Sequence, residues 1–449
     1  MLCCTQPRKS SFMMTSANKP NVQPMGSWLK VLLVVVLLAT IILLIASQTM
    51  VSSTPHIGIF FIAKQNDNIV SAQSGRDILM TSDIDASNVT SSRFINGSPN
   101  PLASQIGATS EVGPTCVRQK NLAFIKTHKT GSTTVASIMH RYALSHWLSC
   151  LAYKSDPTRG HIRFDVLTER SNRKFIPPLG VRVGDYENYK DYNVLAVHVR
   201  YQPEMLKKFM AEETKYITIL REPSSHFESA FTFFGAESEL FGAHHVGNIA
   251  KFAKKPSQHW NQLSRGHKKY YTRNGQMFDL SLDQRIHTDR TIVKSIIGDI
   301  AKKFSLVLIM EYMDESLLLL KKLMCWDFRD ISYVVKNHRA HTSKMADGVR
   351  AALRKWNWAD NLLYEHFNVT LWKKIAKYGP TFEEDLVKFR EILKEDYDEC
   401  VAQELIKRKN KIVRTELANN SEYCTNLAGS PYRLFNKVYK RQMGNMKMT

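Results

Sequence analysis

No Gly-Lys dipeptide occurs anywhere in the 449 residues. The nucleotide loop Gly-x-x-x-x-Gly-Lys-[Ser/Thr] requires one, because its lysine reaches the terminal phosphates from directly behind the second glycine. An ordinary ATP or GTP site is therefore disfavoured. Cys-x-x-Cys and His-Glu-x-x-His are also missing, so no zinc site is expected, and adjacent His244 and His245 read as loop residues. Internal repeats are absent as well. Acidic side chains are outnumbered, 41 against 62 basic, for a net charge of +21. That excess would suit a nucleic-acid binder, but the topology argued next excludes nucleic acid as a partner. The polyanions left are sulfated glycans, acidic glycolipids, membrane surfaces and anionic cofactors.

Long apolar runs are equally scarce, and one stands out. Residues 31–46 are apolar except for Thr40, and their weakly polar flank to Val51 extends the run to bilayer length. Arg8, Lys9, Lys19 and Lys30 precede it, and the next basic residue is Lys64, so the positive-inside rule leaves the N-terminus cytosolic. The competing reading, a cleaved signal peptide, calls for a shorter apolar region and a small-x-small cleavage site. The expected organisation is a cytosolic tail at 1–30, a transmembrane signal anchor at 31–51, a luminal stem at 52–115 and a catalytic domain at 116–449. The stem is rich in Ser, Thr, Asn, Gly and Pro, which cannot bury a core. Asn88, Asn96, Asn368 and Asn419 open N-glycosylation sequons. Beyond the anchor stand Cys116, Cys150, Cys325, Cys400 and Cys424, an odd set in an oxidising lumen. At least one stays free or pairs between chains, and the connectivity is open.

The chemistry begins at Leu122. A short apolar strand runs into Lys126-Thr-His-Lys-Thr-Gly-Ser-Thr133, and a helix follows with Val135, Ile138, Met139 and Tyr142 on one face. Gly131 and Ser132 fall where free backbone N–H groups and the helix dipole hold an anion, with Lys126 and Lys129 adding full charges. Apolar strands at Leu122–Ile125, 192–199, 216–220 and 306–310 alternate with helical patterns, which predicts an α/β fold with a parallel sheet covered by helices. Such sheets bind ligands at the carboxyl ends of their strands, where Lys129, His198 and Arg221 all fall. After the third strand, Pro223 ends the extended run, and Ser225 with Glu228 suggests a capping box. Phe227, Ala230, Phe231 and Phe234 form the next helix's expected buried stripe. That leaves Ser229 outward, placed to clamp a phosphate together with Arg221. Residues 382–414 read as one charged packing helix.

Lys129-Thr-Gly-Ser-Thr133 resembles the loop with which sulfotransferases bind the 5′-phosphosulfate of 3′-phosphoadenosine 5′-phosphosulfate (PAPS). Arg221-Glu-Pro with Phe227-Glu-Ser229 resembles the 3′-phosphate motif of the same superfamily. The segment 311–326, Glu-Tyr-Met-Asp-Glu-Ser-Leu-Leu-Leu-Leu-Lys-Lys-Leu-Met-Cys-Trp, is similar to the galactose-3-O-sulfotransferases, and the likeness covers most of 116–372. The resemblance implies a P-loop-like sulfotransferase fold, PAPS as co-substrate with no metal, a galactose-containing glycolipid or glycan as acceptor, and a type II Golgi membrane protein. It further implies that Lys129 offsets charge on the leaving oxygen, that Thr130, Gly131, Ser132 and Thr133 cradle the 5′-phosphate, and that Arg221 and Ser229 hold the 3′-phosphate. Arg273 lies at an unmatched position and is left outside the site.

Sulfuryl transfer to a sugar hydroxyl needs a base to take the proton. His198 ends the apolar run 194–197, and His198-Val-Arg-Tyr is similar to the His-x-Arg-Phe piece of galactose sulfotransferases. His128, inside the loop, is the rival. Three other readings stand beside galactose sulfation: sulfation of another sugar such as a glycosaminoglycan uronate, an inactive luminal glycan-binding protein, and a luminal kinase.

Overall fold

The computed structural model describes residues 116–154, 161–162, 173–242, 245, 247–283, 286–334, 345–407 and 411–444. The expected anchor and stem lie outside the described residues. Among the described residues, no helix is long and apolar enough to cross a membrane.

The strands are β1 (Leu122–Ile125), β2 (His161–Ile162), β3 (Val194–Leu195), β4 (His198–Val199), β5 (Lys215–Leu220), β6 (Leu306–Ile309), β7 (Val401–Lys407) and β8 (Lys411–Leu417). Four of them build a wholly parallel sheet in the order β3-β1-β5-β6. Its register pairs Ile125 with Thr218 and Leu220 with Ile309, so the chain leaves β1, β5 and β6 along one edge. β1 and β6 are buried at every position, as expected of continuous apolar strands sandwiched between helices. Each fully buried Leu, Ile or Phe contributes about 1.5–3 kcal/mol of transfer free energy.

The helices around this edge are α1 (Ser132–Ser145), α2 (Pro223–Phe233), α3 (Gly275–Asp279), α4 (Met313–Met324), α5 (Asp347–Trp356), α6 (Trp358–Ala376), α7 (Phe382–Cys400) and α8 (Pro431–Gln442). α1 buries Val135, Ile138, Met139 and Tyr142 as its periodicity requires. α8 packs across α1, and the Arg441 guanidinium donates to the carbonyls of Ala143, Leu144 and Leu148 where α1 ends. α2 and α5 enclose a second apolar cluster of Phe227, Phe231, Phe252, Leu353 and Trp356.

Several expectations need correction. The strand expected over 192–199 is two short pieces: β3 joins the main sheet, while β4 pairs with β2 in a separate ladder. The helix expected over 382–414 stops at Cys400, and an antiparallel hairpin, β7 and β8, follows. Ile406, Ile412 and Val413 are β-branched, which suits a pleated ladder better than a helix. The Ser225–Glu228 box does not cap α2. Glu222 is the N-cap and accepts from the N–H groups of Ser224 and Ser225, with Pro223 in the first helical position, where its missing donor costs nothing. Phe234 lies just past α2, half-buried and stacked on Tyr271 at 4.7 Å, rather than in the buried stripe.

The cysteine connectivity left open by the sequence is resolved as Cys116–Cys325 and Cys400–Cys424. Cys150 is buried and free, and burial pushes its thiol up to about 12. Cys116–Cys325 closes a loop with a sequence separation of 209 and ties the segment entering β1 to the end of α4. Cys116→Ser with Cys325→Ser should therefore lower stability by about 2–5 kcal/mol. Thermal melts with and without reductant check this: the parent should lose stability on reduction, and the double variant should lose nothing further from this bridge.

Candidate functional site

The loop leaving β1 is stitched to its neighbours before it turns. Thr127 Oγ1 donates to the Ile219 carbonyl at 2.6 Å and lies 2.8 Å from Thr130 Oγ1. The Ser132 hydroxyl donates back to the Thr127 carbonyl. Thr130 and Ser132 are thus buried with their hydroxyls spent on closing the loop, while Gly131 and Thr133 stay half-buried. Gly131 has φ +75°, and a Cβ there would lie 3.3 Å from Met310 Cγ and 3.4 Å from Met313 Cε. The turn therefore has to stay bare. No side chain caps α1, so its leading backbone N–H groups are the donors this loop can offer an anion.

The expected cations gather at this loop. Arg221, just past β5, donates from Nη1 to the Lys129 carbonyl at 3.3 Å. Its backbone is held by Gln276, whose Oε1 accepts from Arg221 N–H and whose Nε2 donates to the Arg221 carbonyl, both at 2.8 Å. Gln276 is itself fixed where Asp360 accepts from the N–H groups of Gln276 and Met277 at the start of α3. Lys129 carries its Nζ 3.7 Å from the ring centroid of exposed Phe233. Ser229 sits half-buried on α2.

Lys126 meets His198. The His198 Nδ1 lies 3.0 Å from the Lys126 carbonyl. A carbonyl can only accept, so Nδ1 carries the proton and Nε2 the lone pair. That lone pair faces Lys126 Nζ at 2.6 Å. Burial pushes the Lys126 amine down to about 7, with the negative charge of Asp279 opposing the shift and Lys129 adding to it. The buried amine and the imidazole thus form one contact, with Lys126 Nζ donating to His198 Nε2.

His128 is stacked on His198 with ring centroids 3.8 Å apart and planes within 15°. Its Nδ1 lies 3.0 Å from Asp279 Oδ2, and its backbone N–H donates to the same oxygen at 2.7 Å. Tyr271 donates its hydroxyl to Asp279 Oδ1 at 3.0 Å. His226 donates from Nε2 to the His128 carbonyl. Burial, then the charge of Arg221, pushes His226 down to about 3, so it remains neutral.

Gln276, Asp279, Tyr271, Asp360 and Glu222 were not identified from the sequence. In the segment beginning Tyr271-Thr-Arg-Asn the sequence singles out Arg273 alone. That guanidinium lies over Trp356 at 4.2 Å and Trp260 at 5.2 Å. Arg200 is structural, donating to the carbonyls of Phe278 and Leu282.

Glu222 anchors the rear of the site. Burial raises its carboxyl, but the Ser224 hydroxyl, Arg354 and the backbone N–H groups of Ser224 and Ser225 outweigh that and hold it at about 2. A depressed carboxylate contributes stability above its ordinary pKa and loses it as pH falls through the folded value. Glu222→Gln should therefore cost on the order of 2 kcal/mol at pH 7. The difference from the parent should close between about pH 4.5 and 2 in denaturant titrations.

The parallel sheet presents a bare glycine turn, an uncapped helix start and a strand-end arginine along one edge, with His198 and Lys126 in contact beside them. The chain belongs to the galactose-3-O-sulfotransferase family, whose profile matches residues 13–419. It is 30% identical to galactosylceramide sulfotransferase of Homo sapiens over 267 residues, 59% of this chain and 60% of that one. It is 31% identical to galactose-3-O-sulfotransferase 3 of Homo sapiens over 306 residues, 67% of each chain. Galactose-3-O-sulfotransferase 2 of Homo sapiens matches at 31% over 263 residues, 58% of this chain and 62% of that one. The chain thus spans about 60% of the length of the galactosylceramide sulfotransferases it matches.

Proposed function

We propose that this protein transfers the sulfuryl group of PAPS to the 3-hydroxyl of a galactose in a glycolipid or glycoprotein glycan, as a type II Golgi membrane protein anchored by residues 31–51 with its catalytic domain in the lumen. The observation that carries the reading is the meeting of Lys126, Lys129, Arg221 and His198 at one sheet edge around the Gly131 turn. Family membership supports the same activity.

PAPS supplies the sulfuryl group; the chain's own residues bind and orient it and move one proton. The backbone at Gly131, Ser132 and Thr133, with Thr130 closing the turn, suits the 5′-phosphate, while Arg221 and Ser229 suit the 3′-phosphate. Lys129 offsets charge that grows on the leaving oxygen. His198 Nε2, which faces Lys126, would accept the proton of the sugar hydroxyl.

Thermal-shift and calorimetric comparison tests the binding half of this reading. Adenosine 3′,5′-bisphosphate should stabilise the protein, and ATP with magnesium should not. Stabilisation by ATP with magnesium alone would favour a kinase. Stabilisation by neither would favour the glycan-binding reading, since a glycan binder has no need of a cofactor clamp.

A further inference from the structure

We infer that Asp279 is a positioning residue of this site: it fixes the His128 ring on which His198 rests and supplies the buried negative charge opposite the proton that His198 takes up. The inference rests on the transfer reading above and adds a residue to it. Asp279 is 2% exposed at the end of α3, and each of its oxygens is engaged. Oδ2 accepts from the His128 backbone N–H and ring Nδ1, and Oδ1 accepts from the Tyr271 hydroxyl. One carboxylate thereby ties the turning loop to the ring inside it. Its own helix is pinned from α6 by Asp360, so it cannot drift with the loop.

The stack transmits this placement. His198 lies parallel to His128 at 3.8 Å, and Tyr271 closes on His128 at 4.2 Å. A proton accepted at His198 creates an imidazolium against an imidazole that is itself bonded to a carboxylate. In a water-poor site that negative charge stabilises the cation more than it would in water. The other titratable and charged groups around the stack are Lys126 and Lys129 on the loop, Arg221 past β5, His226 on α2, His267 and Tyr271 before α3, Arg200 beside β4, and Asp360 on α6. The cations outnumber the carboxylates, so removing Asp279 leaves a positive surplus that resists further protonation.

Asp279→Asn keeps the shape and removes the charge, and Asp279→Glu restores the charge one methylene further out. We expect Asp279→Asn to bind adenosine 3′,5′-bisphosphate within a few-fold of the parent and to lose turnover about ten- to a hundredfold. Both limbs of its pH–turnover profile should move to lower pH, because each nearby cation becomes harder to form. Asp279→Glu should regain part of the turnover with the parental limbs. A loss of turnover with unmoved limbs, or parental turnover in Asp279→Asn, would overturn the inference. Nitrogen-15 shifts of the His128 ring in the parent decide the point independently of any variant's folding and of any transfer. A proton on Nδ1 is expected, and the neutral form with its proton on Nε2 alone would contradict the carboxylate contact. If the parent transfers no sulfate while the ring carries its proton on Nδ1, the transfer reading fails and the placement by Asp279 stands.

Discussion

His198→Ala should fold normally, bind adenosine 3′,5′-bisphosphate as the parent does, and turn over about a hundred- to ten-thousand-fold more slowly. The expectation follows from the tautomer. With Nδ1–H committed to the Lys126 carbonyl, Nε2 is the one ring position able to take a proton, and it is aimed at the place where Lys126 and the loop converge. The ring is half-buried, so its removal opens no large cavity in the core. Nδ1–H donation to Asp279 leaves a lone pair on His128 Nε2 as well, so His128 is the rival base. Turnover of His198→Ala and His128→Ala side by side decides between them: near-parental turnover in the first with collapse in the second would make the strand-end histidine structural.

Lys129→Ala and Arg221→Ala should fail in different ways. Lys129 opposes charge that grows only as the sulfuryl bond breaks, so its loss should lower turnover by about a hundred- to a thousandfold with a small change in donor affinity. Arg221 holds charge already present in the bound donor, so its loss should chiefly weaken the bisphosphate. The Arg221 Nη1 bond to the Lys129 carbonyl also means that Arg221→Ala loosens the loop, and some turnover should go with the affinity. Calorimetry with the bisphosphate separates the two. Parental affinity in Arg221→Ala with lost affinity in Lys129→Ala would reverse the assignment. Bisphosphate affinity in the parent should also weaken as pH rises through about 7, since Lys126 is charged below that value and neutral above it.

Much of this site was legible along the chain because its main parts are local. A strand, a glycine turn and an amphipathic helix are written in consecutive residues, and β1 and α1 appear where periodicity places them. Arg221 and His198 were found because strand ends are marked by the residues that stop an apolar run. What escaped is held across long separations. Asp279 meets His128 across 151 positions and Asp360 meets Met277 across 83, and neither carboxylate has any local pattern that sets it apart from a solvated one. The disulfides escaped for the same reason, since spacing alone does not choose partners among five thiols. The helix over 382–414 was overextended because its charged residues keep a helical rhythm past the point where β-branched residues and the Cys400–Cys424 bridge impose a hairpin.

The central claim is the transfer itself, and its product is the most direct test. The full chain, incubated with sulfur-35-labelled PAPS and a panel of galactosylceramide, lactosylceramide, terminal-galactose oligosaccharides and heparan, should place label on the galactose acceptors. Linkage mapping should then put the sulfate on the galactose 3-hydroxyl, and Lys129→Ala should cut the signal by about a hundred- to a thousandfold. Label on heparan uronate alone, or on a galactose position other than the 3-hydroxyl, would contradict it.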